Sequence, residues 1–313
     1  MVDPQFKADV LGGLRGPRRA IPARWFYDER GSELFDDITR LPEYYVTRIE
    51  TAILEQSRAD IAARVGASRA VIEFGAGSAT KTPLLLEAVS PSAYVPIDIS
   101  GDYLRDAAAA LQAKFPTLPV YPVEADFTNA VHLPGAIDKM ARLGFFPGST
   151  IGNFIPRSGV DMLRHMRDIV GEGAMLLIGF DRIKPLDILT TAYDDAAGVT
   201  AAFNLNLLTR INRELEGNIP VDGFTHRARW NDTEARIEMH LESLRDTTFT
   251  VVGEHFAMAA GETIHTENSH KYDLRSLRLL LRAGGWSPVQ EYSDADGWFT
   301  LVLAKATPFH HAP

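Results

Sequence analysis

The sequence predicts an α/β protein whose mostly parallel sheet is interrupted by an inserted α+β segment. Three observations point there. Short apolar runs alternate with helical stretches from residue 50 to about 180, as in βαβ units with helices on both faces of a sheet. The alternation lapses after Asp181 and returns at Leu274. A glycine-rich turn, Glu73-Phe74-Gly75-Ala76-Gly77-Ser78, follows the first short strand and opens a helix, where bare backbone N–H groups can approach a ligand.

The elements follow in order. Ile53, Leu54, Ile61 and Val65 lie at helical spacings within residues 50–65, which predicts a helix ahead of the first strand. Residues 70–74 read as a buried strand, 81–89 as a helix, 93–99 as a strand and 101–114 as a helix. Strands are expected again at 120–123, 144–150 and 174–180, with a helix at 157–171. Residues 186–215 look helical throughout, and 224–230 and 235–244 alternate like a hairpin turning at Asn231-Asp232. The α/β pattern resumes with a helix at 274–282 closed by Gly284-Gly285, a strand at 288–292, a turn at 294–297 and a last strand at 298–304. A terminal hairpin on a parallel sheet fits a Rossmann-like seven-stranded methyltransferase core better than the nicotinamide-binding Rossmann fold.

Composition narrows the function. At 313 residues with 45% hydrophobic and 23% charged residues, the chain has the make-up of a globular protein with a sizeable core. Its formal charge of −9 offers no footprint for phosphate backbones or anionic lipid, so neither nucleic acid nor membrane is an expected partner. No apolar run approaches the roughly 20 residues of a membrane span, and the start lacks the look of a secretory leader, so a cytoplasmic location is expected. The absence of cysteine excludes disulfides, thiolate catalysis and cysteine-held metals. His265 and His270, and the tail pair His310-His311, show no metal-ligand spacing, so no metal is expected.

The glycine turn suggests a nucleoside cofactor. Thr80 stands where a full G-x-G-x-x-G would need its last glycine, which disfavours pyrophosphate; in adenosylmethionine enzymes the shorter E-x-G-x-G turn faces the methionine part. Asp98, about 23 residues beyond Gly75 at the end of the second strand, occupies the place of a ribose acceptor. Asp126 ends the third strand, where it could accept the adenine amino group while Phe127 packs on the ring. Either aspartate could instead cap a helix. A nicotinamide-dependent oxidoreductase would use the same loop and Asp98.

Other blocks carry a resemblance. Trp25-Phe26-Tyr27-Asp28, Gly31-Ser32-Glu33-Leu34-Phe35, residues 39–45, Thr47-Arg48, the Glu73–Gly77 turn with Lys81-Thr82, residues 148–153 and residues 192–204 resemble the histidine Nα-methyltransferases of ergothioneine biosynthesis, from about residue 24 to 304. The resemblance implies S-adenosylmethionine (SAM) as cofactor, bound by Glu73, Gly75, Gly77, Ser78, Lys81, Asp98, Asp126 and Phe127. It implies a methyltransferase domain of residues 46–183 and 271–313, and a substrate-binding domain of residues 1–45 and 184–270. Tyr27, Tyr44, Asn153 and Tyr193 would surround the amino acid's backbone end. Glu267 and Ser269 would grip the imidazole, with Met239 lining the ring pocket.

If residues 266–269 are extended, 267 and 269 share a face, so a carboxylate and a hydroxyl can address both imidazole nitrogens. An aliphatic substrate would leave them unpaired, at about 1–3 kcal/mol each. Methyl transfer from a sulfonium needs a neutral amine and no metal; Tyr27 is the expected proton acceptor, directly or through water, and Asn153 the group that orients the lone pair. The expected product is Nα,Nα,Nα-trimethylhistidine, hercynine, made by a monomer. Methylation of another amino acid such as tryptophan, or a catalytically silent SAM-binding protein, are the competing readings.

Overall fold

The computed structural model describes residues 3–76 and 81–308. In chain order the elements are α1 (Pro4–Arg15), α2 (Glu29–Arg40), α3 (Tyr45–Val65), β1 (Ala70–Phe74), α4 (Thr82–Val89), β2 (Ala93–Asp98), α5 (Gly101–Lys114), β3 (Val123–Glu124), β4 (Arg142–Phe146), α6 (Pro156–Val170), β5 (Met175–Asp181), α7 (Leu186–Tyr193), α8 (Val199–Glu214), β6 (Phe224–Asn231), β7 (Arg236–Ser243), β8 (Thr247–Val251), β9 (Glu254–Met258), β10 (Thr263–His270), α9 (Leu274–Ala283), β11 (Trp286–Ser293) and β12 (Phe299–Ala306). They fall into two compact units: Met1–Tyr45 with Lys184–His270, and Val46–Ile183 with Lys271–Pro313.

The second unit holds a seven-stranded sheet in the order β3-β2-β1-β4-β5-β12-β11. The pairs from β3 through β5 are parallel, while β12 runs antiparallel to both β5 and β11. Every residue of β1 and β5 is buried, because a parallel sheet is covered on both faces. The order reverses direction beside β1, which opens a crevice at the strands' carboxyl ends. This is the seven-stranded methyltransferase topology.

Three expected elements differ. The strand expected at 120–123 is reduced to Val123–Glu124, with Val120 making one bridge to Tyr94, because Pro119 and Pro122 bring no N–H to a ladder. The strand expected at 144–150 is β4, Arg142–Phe146. Pro147 ends it, Gly148 and Ser149 turn the chain at φ +81° and +57°, and Thr150–Asn153 is a short 3-10 turn. The helix expected over 186–215 is broken in two by residues 194–198, where Asp195 accepts the N–H groups of Val199 and Thr200 and restarts the helix as α8.

In the first unit, β6 and β7 form the expected hairpin and β10 pairs on the other side of β7. Residues Ile237, Met239, Leu241 and Ser243 of β7 are buried and alternate with partly exposed neighbours, the signature of a sheet with one covered face. The β8–β9 hairpin is an addition the sequence did not announce; it turns at Val252 and Gly253, both with positive φ. α1 and α2 also had no forecast. No described helix is long and apolar enough to cross a membrane.

Candidate cofactor and substrate sites

The glycine turn of the second unit follows β1 directly. Gly75 has φ +75°, and a Cβ there would meet the Phe127 ring at 3.6 Å, so glycine serves both the left-handed turn and the close approach. The N–H groups of Gly75 and Ala76 donate to the Ile97 carbonyl at 2.9 and 3.2 Å, tying the turn to β2. Gly77 and Ser78, also expected at the cofactor, lie outside the described residues.

Glu73 sits under the turn at 1% exposure. One of its oxygens accepts Thr82 Oγ1 at 2.7 Å and Tyr94 OH at 2.6 Å, which ties the first turn of α4 to β1 and β2. Burial raises its carboxyl to about 7, against the pull of those two hydroxyls and Lys81. Lys81, at the start of α4, is buried and ion-paired with Glu50 of α3, which is fully buried. Glu50 also accepts the Gly148 N–H at 2.8 Å. Sequence reasoning missed Glu50, because its partners lie 31 and 98 residues away.

Asp98 ends β2. Its Oδ1 accepts the Ser100 N–H at 2.9 Å, and burial lifts its carboxyl above the usual range. Asp126 accepts the backbone N–H of Thr128 at 2.9 Å, the Thr128 hydroxyl at 2.5 Å and Asn129 Nδ2 at 3.1 Å. Both carboxylates close turns rather than cap helices. The Ala125 N–H donates to the Asp98 carbonyl at 3.0 Å and ties the residue before Asp126 to the end of β2. Phe127 is gripped edge-on by Phe74 and Phe146, at centroid distances of 6.2 and 5.9 Å. Asn153 closes the 3-10 turn after β4, held in place because the Asp181 N–H donates to Ser149 Oγ at 2.8 Å.

The first unit carries the other expected residues. Tyr27 stands edge-on to Phe35 and Phe203, at 5.7 and 5.8 Å; Phe35 meets Tyr44 at 6.4 Å, and Tyr44 meets Tyr193 at 6.3 Å. Tyr27, Tyr44 and Tyr193 thus belong to one aromatic wall completed by Phe35 and Phe203, which the sequence reading left without roles. Asp28 anchors the wall's base: it caps α2 and takes hydrogen bonds from Asn206 and Arg213 of α8. Burial would raise this carboxyl, but the bonds from Arg213, the Gly31 N–H and Asn206 outweigh it and hold it low.

Glu267, Ser269 and Met239 meet on the sheet. A bulge between His265 and Glu267 resets the register so that Glu267 stands opposite Met239 and Ser269 opposite Ile237. Opposed residues share a face, so all four lie on one side. Ser269 Oγ and Tyr193 OH are 2.6 Å apart. Two further residues on this side escaped the sequence reading. His226 of β6 and Asn204 of α8 are buried and bonded to each other at 2.8 Å. The alternation Phe224, His226, Ala228 could have flagged His226 as inward-facing.

The opposite face unites Glu238, His240 and His265, with ligand-type atoms within 4.8 Å of one another. Sequence spacing did not show this cluster, because His265 arrives on another strand. Burial raises the Glu238 carboxyl, yet hydrogen bonds from Asn231, Arg236 and His240 bring it down to about 2. Its oxygens already serve Asn231 Nδ2 at 2.8 Å and Arg236 at 2.7 Å, and Arg229 is its ladder partner. The Arg236 guanidinium neutralises the carboxylate a cation would need, so the cluster is assigned no metal.

A family model described as histidine-specific methyltransferase, SAM-dependent, matches residues 6–306. The histidine N-alpha-methyltransferase of Mycolicibacterium smegmatis is 40% identical over 304 residues, covering 95% of this chain and 94% of the relative. That of Mycobacterium tuberculosis is 39% identical with the same coverage. The ergothioneine biosynthesis protein 1 of Neurospora crassa is 28% identical over 97% of this chain, which spans 36% of that longer protein.

Proposed function

The chain belongs to the SAM-dependent histidine-specific methyltransferases, and on that premise we propose that it moves methyl groups from SAM to the α-amino group of L-histidine, giving hercynine for ergothioneine biosynthesis. The observation that carries the substrate reading is the shared sheet face of Glu267, Ser269 and Met239, with Tyr193 bonded to Ser269. A carboxylate acceptor and a hydroxyl two residues apart suit the two nitrogens of an imidazole, and the soft Met239 side chain suits its flat ring.

The cofactor residues fit SAM on their own chemistry. Gly75 leaves room against Phe127, Asp98 offers a half-buried carboxylate for ribose hydroxyls, and Lys81, ion-paired with Glu50, fixes the start of α4 next to the glycine turn. When bound, SAM supplies an electrophilic methyl on a sulfonium. The protein's part is positioning: Asn153 orients the amine's lone pair, Tyr44 and Tyr193 bracket the backbone end of histidine, and Tyr27 relays the ammonium proton, its oxygen accepting it directly or through a water as its own hydrogen passes to solvent. The aromatic wall of Tyr27, Phe35 and Tyr44 suits a nitrogen that becomes permanently cationic as methyl groups accumulate. The acidic, cysteine-free composition is in keeping with a cytoplasmic enzyme, proposed to act as a monomer; light scattering of the purified protein checks the latter.

The test is to incubate the protein with SAM and each amino acid singly and follow products by mass spectrometry. Histidine alone gaining three methyl groups supports the reading. Methylation of tryptophan or tyrosine in its place overturns the assignment of Glu267, and no product with any amino acid returns the silent binder.

A further inference from the structure

The residues proposed to hold histidine are themselves held by a buried polar circuit whose hydrogens can be assigned. Asn204 Nδ2 lies 3.1 Å from the His240 carbonyl, which can only accept, so the amide is oriented with Nδ2 on that side. Its Oδ1 then faces Thr266 Oγ1, which donates to it at 2.8 Å. The second Nδ2 hydrogen points at His226 Nδ1, 2.8 Å away, so Nδ1 is an acceptor and the imidazole proton sits on Nε2. That N–H meets the Tyr193 carbonyl at 2.7 Å. Every member has a role that its chemistry permits, and reversing the amide would set two acceptors against each other at His240.

Tyr193 is the last residue of α7, so its carbonyl is one of those a helix leaves without an internal partner. His226 on β6 satisfies it, while the phenol at the other end of the same residue is bonded to Ser269 on β10. Tyr193 is therefore fixed at both ends to one sheet. The circuit also reaches the backbone of the other pocket residues: Thr266, which precedes Glu267, has its one hydroxyl hydrogen between two acceptors, Asn204 Oδ1 and the Met239 carbonyl at 3.0 Å. Burial holds the His226 imidazole below its ordinary value and so in the uncharged form the circuit requires.

We propose that His226, fixed by Asn204 in its Nε2–H tautomer, is a positioning residue for histidine binding that sets the aim of Tyr193 toward Ser269. The proposal rests on the substrate site described above and extends it to residues that touch no substrate. It is specific to one atom: the Nε2 donor matters, and bulk or polarity at position 226 does not substitute for it.

Two conservative variants separate these. A glutamine amide reaches the place of a histidine Nε2, whereas an asparagine amide reaches only that of Nδ1. His226→Gln is expected to keep the KM for histidine within about threefold of wild type, and His226→Asn to raise it about tenfold, the scale of one buried donor lost. The KM for SAM should hold in both. Equal effects of Gln and Asn, or a KM for SAM that climbs in step with that for histidine, would overturn the proposal, since either marks a general loss of structure. Tyr193→Phe, measured beside them, separates the two levels. If it leaves the KM for histidine unchanged, the substrate site is misassigned and the circuit's role goes with it. If it raises that KM while His226→Asn does not, the site stands and the positioning role of His226 is refuted.

Discussion

Glu50→Gln is the most demanding test of the cofactor unit. Glu50 has 0% exposure and Lys81 6%, and the two are ion-paired. Removing the charge of one partner leaves the other ionised in a medium that solvates it poorly, a loss of about 3–5 kcal/mol. Glutamine retains an oxygen for the Gly148 N–H, so that bond is not part of the loss. At about 2–4 °C per kcal/mol, the melting temperature should fall by roughly 10 °C. Because Lys81 opens α4 straight after the glycine turn, SAM affinity should fall as well, by about tenfold. Differential scanning fluorimetry with and without SAM reads the first quantity and isothermal titration calorimetry the second. Adding Lys81→Met removes the stranded charge, so the double variant should regain more than half of the lost stability while SAM binding stays weak. If Glu50→Gln melts within about 2 °C of wild type, or if the two single changes simply add, the pair carries no such energy and the reasoning fails.

Other expectations follow from the same geometry. Glu267→Ala should raise the KM for histidine at least tenfold, the cost of about 1.4 kcal/mol or more when one imidazole nitrogen is left unpaired, with the KM for SAM unmoved; equal loss in both would disprove the role. Tyr27→Phe should lower kcat by about 100-fold if the phenol handles the amine proton, and a pH–rate profile that matches wild type would remove it from the mechanism. Glu73 gives a signed pH effect. Its folded value of about 7 lies above the ordinary 4.5, so the folded state binds the extra proton between those values and stability falls as pH rises through that window, by about 3 kcal/mol in all. Glu73→Gln should flatten the trend, which denaturant titrations at pH 5 and pH 8 would show; an unchanged slope assigns the pH dependence elsewhere.

The α/β core was legible because parallel strands buried on both faces leave apolar runs, continuous at residues 174–180 and broken only by Glu73 at residues 70–74, and because Pro and Gly punctuate them. The misread strand ends have the same origin. Pro119, Pro122 and Pro147 sit inside apolar stretches that periodicity alone extends too far. The β8–β9 hairpin went unseen since Val252 takes a positive φ that turn chemistry reserves for Gly, Asn or Asp. Asp98 and Asp126 were found from their places at strand ends, whereas Tyr27, Tyr44, Asn153 and Tyr193 came from whole blocks of resemblance, and residues 192–204 show why such a block is informative: it spans Tyr193, the Asp195 cap that restarts the helix and Asn204 of the buried circuit. Glu50, Asn204 and His226 were illegible for a common reason. Each derives its meaning from partners that only the folded chain brings near, and a lone Glu, Asn or His in a helix or strand carries no local mark of it.

The first unit is assembled from the beginning of the chain and from a segment that follows β5. Phe26 and Tyr27 pack on Phe203, and Asp28 is held by Arg213. On the ribosome, therefore, the opening forty-odd residues emerge without their counterparts. At about 5–20 residues per second, that stretch waits roughly 10–35 s before α8 is made, with the side chains of its aromatic wall still unsheltered. Over the same interval β1 to β5 are synthesised consecutively and can pair as they appear. The first unit is complete once β10 is made, whereas the seven-stranded sheet still awaits β12 and β11, so the earliest-made part of the first unit is the one most in need of protection during synthesis.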